Sequence, residues 1–232
     1  RCMRLPQRIL WPALCGIAHQ RSSGVSSMSA SAPAGVHALL ARIDNSLKRE
    51  LKGDPDSDYP NQETREVLGA QWVEVGPTAL PKPYLVSTAP AMTAALAVDP
   101  TADEEAFTRF FAGDVASFPE AQRPWATPYA VSVFGQAIPS PDPFGRGNAY
   151  GDGRAVSLGE FVVDAQRWEL QLKGSGTTPF SRGGDGRAVL RSSIREYLVS
   201  EAMAAMRVPT TRALCLVASG TQYTRRMWYK PG

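Results

Sequence analysis

The sequence predicts an α+β protein, and three observations predict it. Residues 154–173, "RAVSLGEFVVDAQRWELQLK", read as two strands around a short turn. Residues 189–206, "VLRSSIREYLVSEAMAAM", carry the strongest helical periodicity of the chain. Residues 213–220, "ALCLVASG", form an apolar run of strand length. The order strand, strand, glycine-rich loop, helix, strand sets an antiparallel hairpin beside a helix.

The bulk composition narrows the function classes. A chain of 232 residues suits one or two domains. With 43% apolar and 20% charged residues it has the make-up of a soluble globular protein. A formal net charge of +3 is too small to argue for a nucleic-acid partner. No run approaches the roughly 18 apolar residues of a membrane helix. Cys2, Cys15 and Cys215 are too scattered for a disulfide framework or a zinc knuckle. His19 and His37 lie near the N-terminus, which argues against an HExxH zinc site and a Ser-His-Asp triad.

The elements follow in order. Residues 1–35 contain Arg1, Arg4, Arg8 and Arg21, many serines and no acid; the first acidic residue is Asp44. That is the composition of a mitochondrial transit segment, the alternatives being a translated upstream region or a disordered tail. In "VHALLARIDNSLKREL" (36–51), Val36, Leu39, Leu40, Ile43, Leu47 and Leu51 fall at helical spacing, which predicts one amphipathic helix. Residues 52–64 read as a polar linker. Residues 72–87 are extended, because their prolines forbid a long helix. Thr101 and Glu104 fit a capping box for a helix through Phe111. Residues 128–135 read as a short strand and 136–150 as a loop. In 167–173, Trp168, Leu170 and Leu172 alternate with Glu169, Gln171 and Lys173. In the long helix, Leu190, Ile194, Leu198 and Met203 form the expected core stripe, and Pro209 lies beyond its end.

The chemistry concentrates around a short text that occurs twice. "GDGRAV" stands at 151–156 and at 184–189. The flanks differ, so a pair of loops is preferred over a repeat architecture, which demands longer self-similarity. Gly-Asp-Gly lets the backbone turn at positive φ and approach a ligand, and the following Arg offers a fork of donors suited to phosphate. The plainer alternative is two tight turns with solvated arginines. Lys173 ends its strand on the polar side, directly before "GSG", where a lysine serves as a point charge for phosphate. "GSGTTP" lacks the third glycine of a dinucleotide fingerprint, and no Walker loop occurs. Glu196 fits two roles. With Ser193 it spells a capping box, and it could also reach back to Lys173 as a helix glutamate fixing a strand lysine. Spacing alone does not choose between them.

The stretch from "GDGRAVSLGE" through "RWELQLKGSGTTPFSRGGDGRAVLRSSIREYLVSEAMAAMRVPTTRALCLV" resembles the selenoprotein O family of protein adenylyltransferases. The likeness begins weakly near residue 65 and is strong from Gly151 to Val217. It implies a protein kinase-like fold, with an antiparallel sheet and helices forming an N-terminal lobe. It also implies transfer of AMP from ATP to Ser, Thr or Tyr hydroxyls of proteins. On that likeness Gly151, Gly153, Arg154, Lys173, Asp185 and Gly186 bind ATP, and Glu196 orients Lys173. The family's proton acceptor and Mg²⁺ ligands match nothing up to Gly232, so no catalytic or metal residue is assigned within the chain. The 232 residues alone are expected to be inactive and to stop before most of the second lobe. Rival expectations are ordinary phosphotransfer by the same fold and a non-catalytic nucleotide-binding module of pseudokinase type. Many members carry Gly-His-Gln-Phe-Gly where this chain has "VSVFG" (131–135), so the role of that histidine is absent. The expected division is residues 1–35 as a targeting segment, 36–64 as helix and linker, and 65–232 as the N-terminal part of the adenylyltransferase domain.

Overall fold

The computed structural model describes residues 34–127 except 57 and 66, then 153–181 and 185–221, together with the backbone of 11–21. Along the chain come β1 (Trp11–Arg21), α1 (Val36–Leu40), α2 (Ser46–Glu50), β2 (Val73–Glu74) and β3 (Pro83–Thr88). They are followed by α3 (Pro90–Ala95), α4 (Glu104–Phe111), a 3-10 turn at Val115–Ser117 and β4 (Trp125–Ala126). The chain continues with β5 (Ala155–Val163), β6 (Gln166–Lys173), α5 (Leu190–Ala205) and β7 (Arg212–Ser219). The expected α+β class with an antiparallel sheet is what the described residues form. The segments expected as a strand at 128–135 and a loop at 136–150 lie outside them.

All seven strands join one sheet in the order β2-β4-β5-β6-β1-β7-β3, and every pairing is antiparallel. The β5–β6 hairpin turns on Asp164 and Ala165, with φ of 46° and 61°. Positive φ at both central residues is the turn whose twist matches that of the strands it joins. It sets the register from Val163 opposite Gln166 to Gly159 opposite Leu170, and a shift between Ser157 and Gly159 then places Ala155 opposite Lys173. β1 occupies an interior place, with Leu14 opposite both Lys173 of β6 and Leu216 of β7. Part of the stretch with targeting composition therefore serves as a strand of this sheet.

The main core lies between the sheet and the helices. Leu158, Phe161, Trp168, Leu170, Leu172, Leu214 and Val217 pack there against Leu39, Leu40, Met92, Phe107, Phe110 and Phe111 of the helices. The alternation read in β6 holds: Trp168, Leu170 and Leu172 are buried and the residues between them are not. A smaller cluster of Val73, Val75, Ala126, Val156 and Phe180 closes the far edge.

Three local expectations change. The single helix over 36–51 is two short ones. Ile43 bridges to Phe161, the Asp44 amide donates to the Glu160 carbonyl (2.8 Å) and the Val162 amide to the Arg42 carbonyl (3.1 Å). Backbone pairing with β5 thus wins over local helical periodicity. α2 then begins under a long-range cap: buried Glu160 Oε2 accepts from the Leu47 amide (2.7 Å) and the Ser46 hydroxyl (3.0 Å). In α4 the cap is Asp103, whose carboxylate accepts from the Ala106 amide at 2.9 Å, while Thr101 is held in a turn by Asp99. In α5 the expected core stripe is wrong in direction: Ile194 and Leu198 are exposed, and the helix buries only Ser193 fully.

Candidate functional site

Lys173 is the last residue of β6, and its side chain stands on the face opposite the Trp168–Leu170–Leu172 core. Its Nζ lies 2.8 Å from Glu196 Oε2 in the second turn of α5. The capping-box alternative for Glu196 falls away, because α5 starts at Leu190 with Val189 as its N-cap and no side-chain cap. Tyr197, next along α5, packs against the core edge and meets Ser87 of β3 at 3.3 Å, which fixes the helix that carries Glu196.

Both GDGR turns meet the segment that follows Lys173. From the first turn, the Arg154 carbonyl accepts from the Gly174 amide at 3.0 Å. The Gly153 carbonyl accepts from the hydroxyls of Ser181 (2.7 Å) and Thr178 (3.2 Å). From the second turn, Arg187 bridges to Ser175, and the Gly176 amide donates to the Gly186 carbonyl at 3.4 Å. Asp185 accepts from the Arg187 amide at 3.0 Å, closing that turn on itself. Gly153, Arg154, Lys173, Asp185, Gly186 and Glu196 are thus brought together around the stretch 173–176. Gly151 lies outside the described residues, as does the "VSVFG" segment.

Two of the glycines are required. Gly186 sits at φ +66°, and a Cβ there would overlap the Gly176 carbonyl. A Cβ on Gly153 would overlap the Phe180 carbonyl. Here glycine lets chain pass against chain, so the close approach is between the loops themselves.

The two arginines of the repeated text part company. Arg187 is 5% exposed, and its guanidinium donates to the carbonyls of Thr78 (2.8 Å) and Ala79 (3.4 Å). It ties the second turn to the stretch before β3 and is not a fork held out for phosphate. Arg154 is partly exposed and, among the described residues, its side chain makes a long 3.5 Å contact to the Arg187 carbonyl. Thr78 completes the tie, its amide donating to the Ser175 carbonyl at 2.7 Å. Sequence reading missed Thr78, Thr178, Ser181 and the structural role of Arg187. The identical spelling of the two turns hid that difference, since only the depth of burial separates them.

Arg167 lies at the far end of β6 from Lys173. It hydrogen-bonds the Asp44 carbonyl and carboxylate (2.6 Å to Oδ2) and stands 4.0 Å from buried Glu160. Its hydrogen bond, with that of Arg49, holds the Asp44 carboxyl below the ordinary range.

A fixed ammonium beside glycine-bearing turns suits a polyphosphate, which needs positive charge and close backbone approach. Among the described residues, no three His, Cys, Asp or Glu side chains come together in a way that could hold a metal ion.

Sheet, lysine–glutamate pair and paired glycine turns define an α+β domain built around a strand-end lysine. The match to known proteins makes it specific. The family model described as "Protein adenylyltransferase SelO" matches residues 60–228, and the chain belongs to that family. It is similar to "Protein nucleotidyltransferase YdiU" of Xanthomonas euvesicatoria pv. vesicatoria (strain 85-10), 45% identical over 189 residues. The corresponding proteins of Aromatoleum aromaticum and Tolumonas auensis are 44% and 43% identical over 194 and 188 residues. In each case the match covers 81% of this chain and 34% of the relative. The chain therefore spans about a third of the length of the curated relatives it matches.

Proposed function

We propose that the complete protein is an adenylyltransferase that moves AMP from ATP onto Ser, Thr or Tyr hydroxyls of other proteins, and that this chain supplies its nucleotide-gripping part. The observation that carries the reading is the 2.8 Å Lys173–Glu196 pair, with both GDGR turns packed on the residues just after the lysine. Lys173 would hold a phosphate group, kept in place by Glu196. Gly151, Gly153, Arg154, Asp185 and Gly186 would line the same nucleotide. In the reaction the substrate hydroxyl oxygen bonds to the α-phosphorus and the bond from that phosphorus to the bridging oxygen breaks. Pyrophosphate leaves, and the hydroxyl proton passes to a base outside these residues. Positive charge on Lys173 favours the phosphate charge that builds up in transfer. The strand pair, lysine and glutamate-bearing helix correspond in this reading to the N-terminal lobe of a kinase-like fold, with the Mg²⁺ ligands in the remainder of the protein.

Labelled ATP tests the proposal on the complete gene product. Label from the α-phosphate on target protein is the expected result. Label from the γ-phosphate alone would mean phosphotransfer, and no label with retained ATP binding would mean a binding module.

The acid-free, arginine-bearing start supports a second proposal, that residues 1–35 direct the protein to mitochondria. A fluorescent protein fused to these residues should enter mitochondria; a diffuse cytosolic signal would reject it. Cleavage of the segment would remove β1 from between β6 and β7, so the processed protein would need another strand in that place.

A further inference from the structure

α5 turns its apolar stripe away from the sheet. Ile194, Leu198, Ala202 and Met206 recur every fourth residue, the spacing that puts them on one helix face. Ile194 is 38%, Leu198 60% and Met206 67% exposed, with Val199 (50%) and Val208 (41%) at its borders. The sheet side of α5 carries Ser193, Tyr197 and Glu201, the last paired with Arg212 at 2.7 Å. A surface helix in a finished fold has the opposite arrangement, with its apolar stripe inward. Several large apolar side chains exposed on one helix face mark an interaction surface.

The charges around the stripe define what fits it. Both glutamates of α5 are engaged towards the domain, Glu196 with Lys173 and Glu201 with Arg212. The exposed charged residues beside the stripe are Arg191, Arg195 and Arg207, all basic. A second copy docked antiparallel on this face would set arginine against arginine, which is unfavourable. The curated relatives continue well beyond the region matched here, since the match covers 34% of their length.

We infer that this face of α5 seats an apolar segment with an acidic border, contributed by the part of the complete protein that the relatives carry outside the matched third. The inference rests on family membership and on the exposed stripe, and it stands whether or not the site above binds ATP. Seating that segment would also fix the helix that presents Glu196 to Lys173.

The test uses the complete gene product with a photo-crosslinking benzoylphenylalanine in place of Leu198. Irradiation should give an intramolecular cross-link to an acid-bordered segment outside residues 1–232, located by peptide mass spectrometry. A cross-link to a second copy or to another protein, or none at all, overturns the inference. Should the bulky replacement disturb folding, Leu198→Cys serves instead. Its thiol should react with maleimide many-fold more slowly in the native protein than that of Leu68→Cys, at a position that is 76% exposed and not part of α5. Equal reactivity overturns the inference. Neither readout depends on nucleotide, so adenylyl transfer and this docking can fail separately.

Discussion

The ammonium of Lys173, at the end of β6, lies 2.8 Å from the carboxylate of Glu196 in the second turn of α5. The pair links the sheet to a helix that is also held by Tyr197 on Ser87 and by Glu201 on Arg212, and it sets where the lysine charge stands. Lys173→Ala in the complete enzyme should abolish AMP transfer. Glu196→Ala should cut transfer severely while moving the urea midpoint little, because a partly exposed ion pair contributes about 0–1 kcal/mol. Parallel loss of activity and stability in Glu196→Ala would contradict a positioning role.

The second glycine turn can be tested against an internal control. Gly69 and Gly186 both have φ of +66°, but only Gly186 has a carbonyl where a Cβ would go. Gly69→Ala should cost about 1 kcal/mol for the left-handed backbone alone. Gly186→Ala should cost clearly more, since the Gly176 loop must move. Urea unfolding of the two variants gives the difference, and equal costs would show that the two loops are not packed as described.

Arg187 and Arg154 should behave differently despite identical surroundings in the sequence. Arg187→Met removes charged hydrogen bonds to the Thr78 and Ala79 carbonyls, and a loss of about 1.5–3 kcal/mol is expected in chemical denaturation. Arg154→Met should leave the unfolding midpoint nearly unchanged and weaken ATP binding, read by calorimetry. A reversed pattern would exchange their roles.

Glu74 gives a pH signature. Burial by itself would raise its carboxyl pKa, but hydrogen bonds from Lys48 (2.8 Å) and Arg123 (3.0 Å) outweigh it and hold the group below the usual glutamate value. The folded state therefore keeps the carboxylate where the unfolded chain has begun to take up a proton. Its stabilisation is fully present above the unfolded value near ~4.3 and is lost as pH falls through the lower folded value. Glu74→Gln should be less stable than the parent at pH 7, by about 1 kcal/mol. The gap should close below pH ~4; a gap independent of pH would mean that the charge is not what the two cations recognise.

Much of the domain was legible in the sequence. Period-two alternation fixed the faces of β6, a short loop between two strand patterns gave the hairpin, and the repeated GDGR text with a strand-end lysine picked out residues that the fold brings together. These signals are local: each depends on neighbours a few residues away, and the chain obeys them wherever nothing distant competes. What only the tertiary structure decided involves partners far apart in sequence. Whether Glu196 caps its helix or holds Lys173 was open until α5 was laid across the sheet. The helix over 36–51 breaks because β5, more than a hundred residues later, offers backbone partners to Arg42 and Asp44. Arg154 and Arg187 read alike, and burial against the stretch before β3 makes one of them structural. The periodicity of α5 announced an apolar face correctly but could not say which way it points. A period shows that apolar residues share a side, whereas its direction depends on which surface the folded chain brings near.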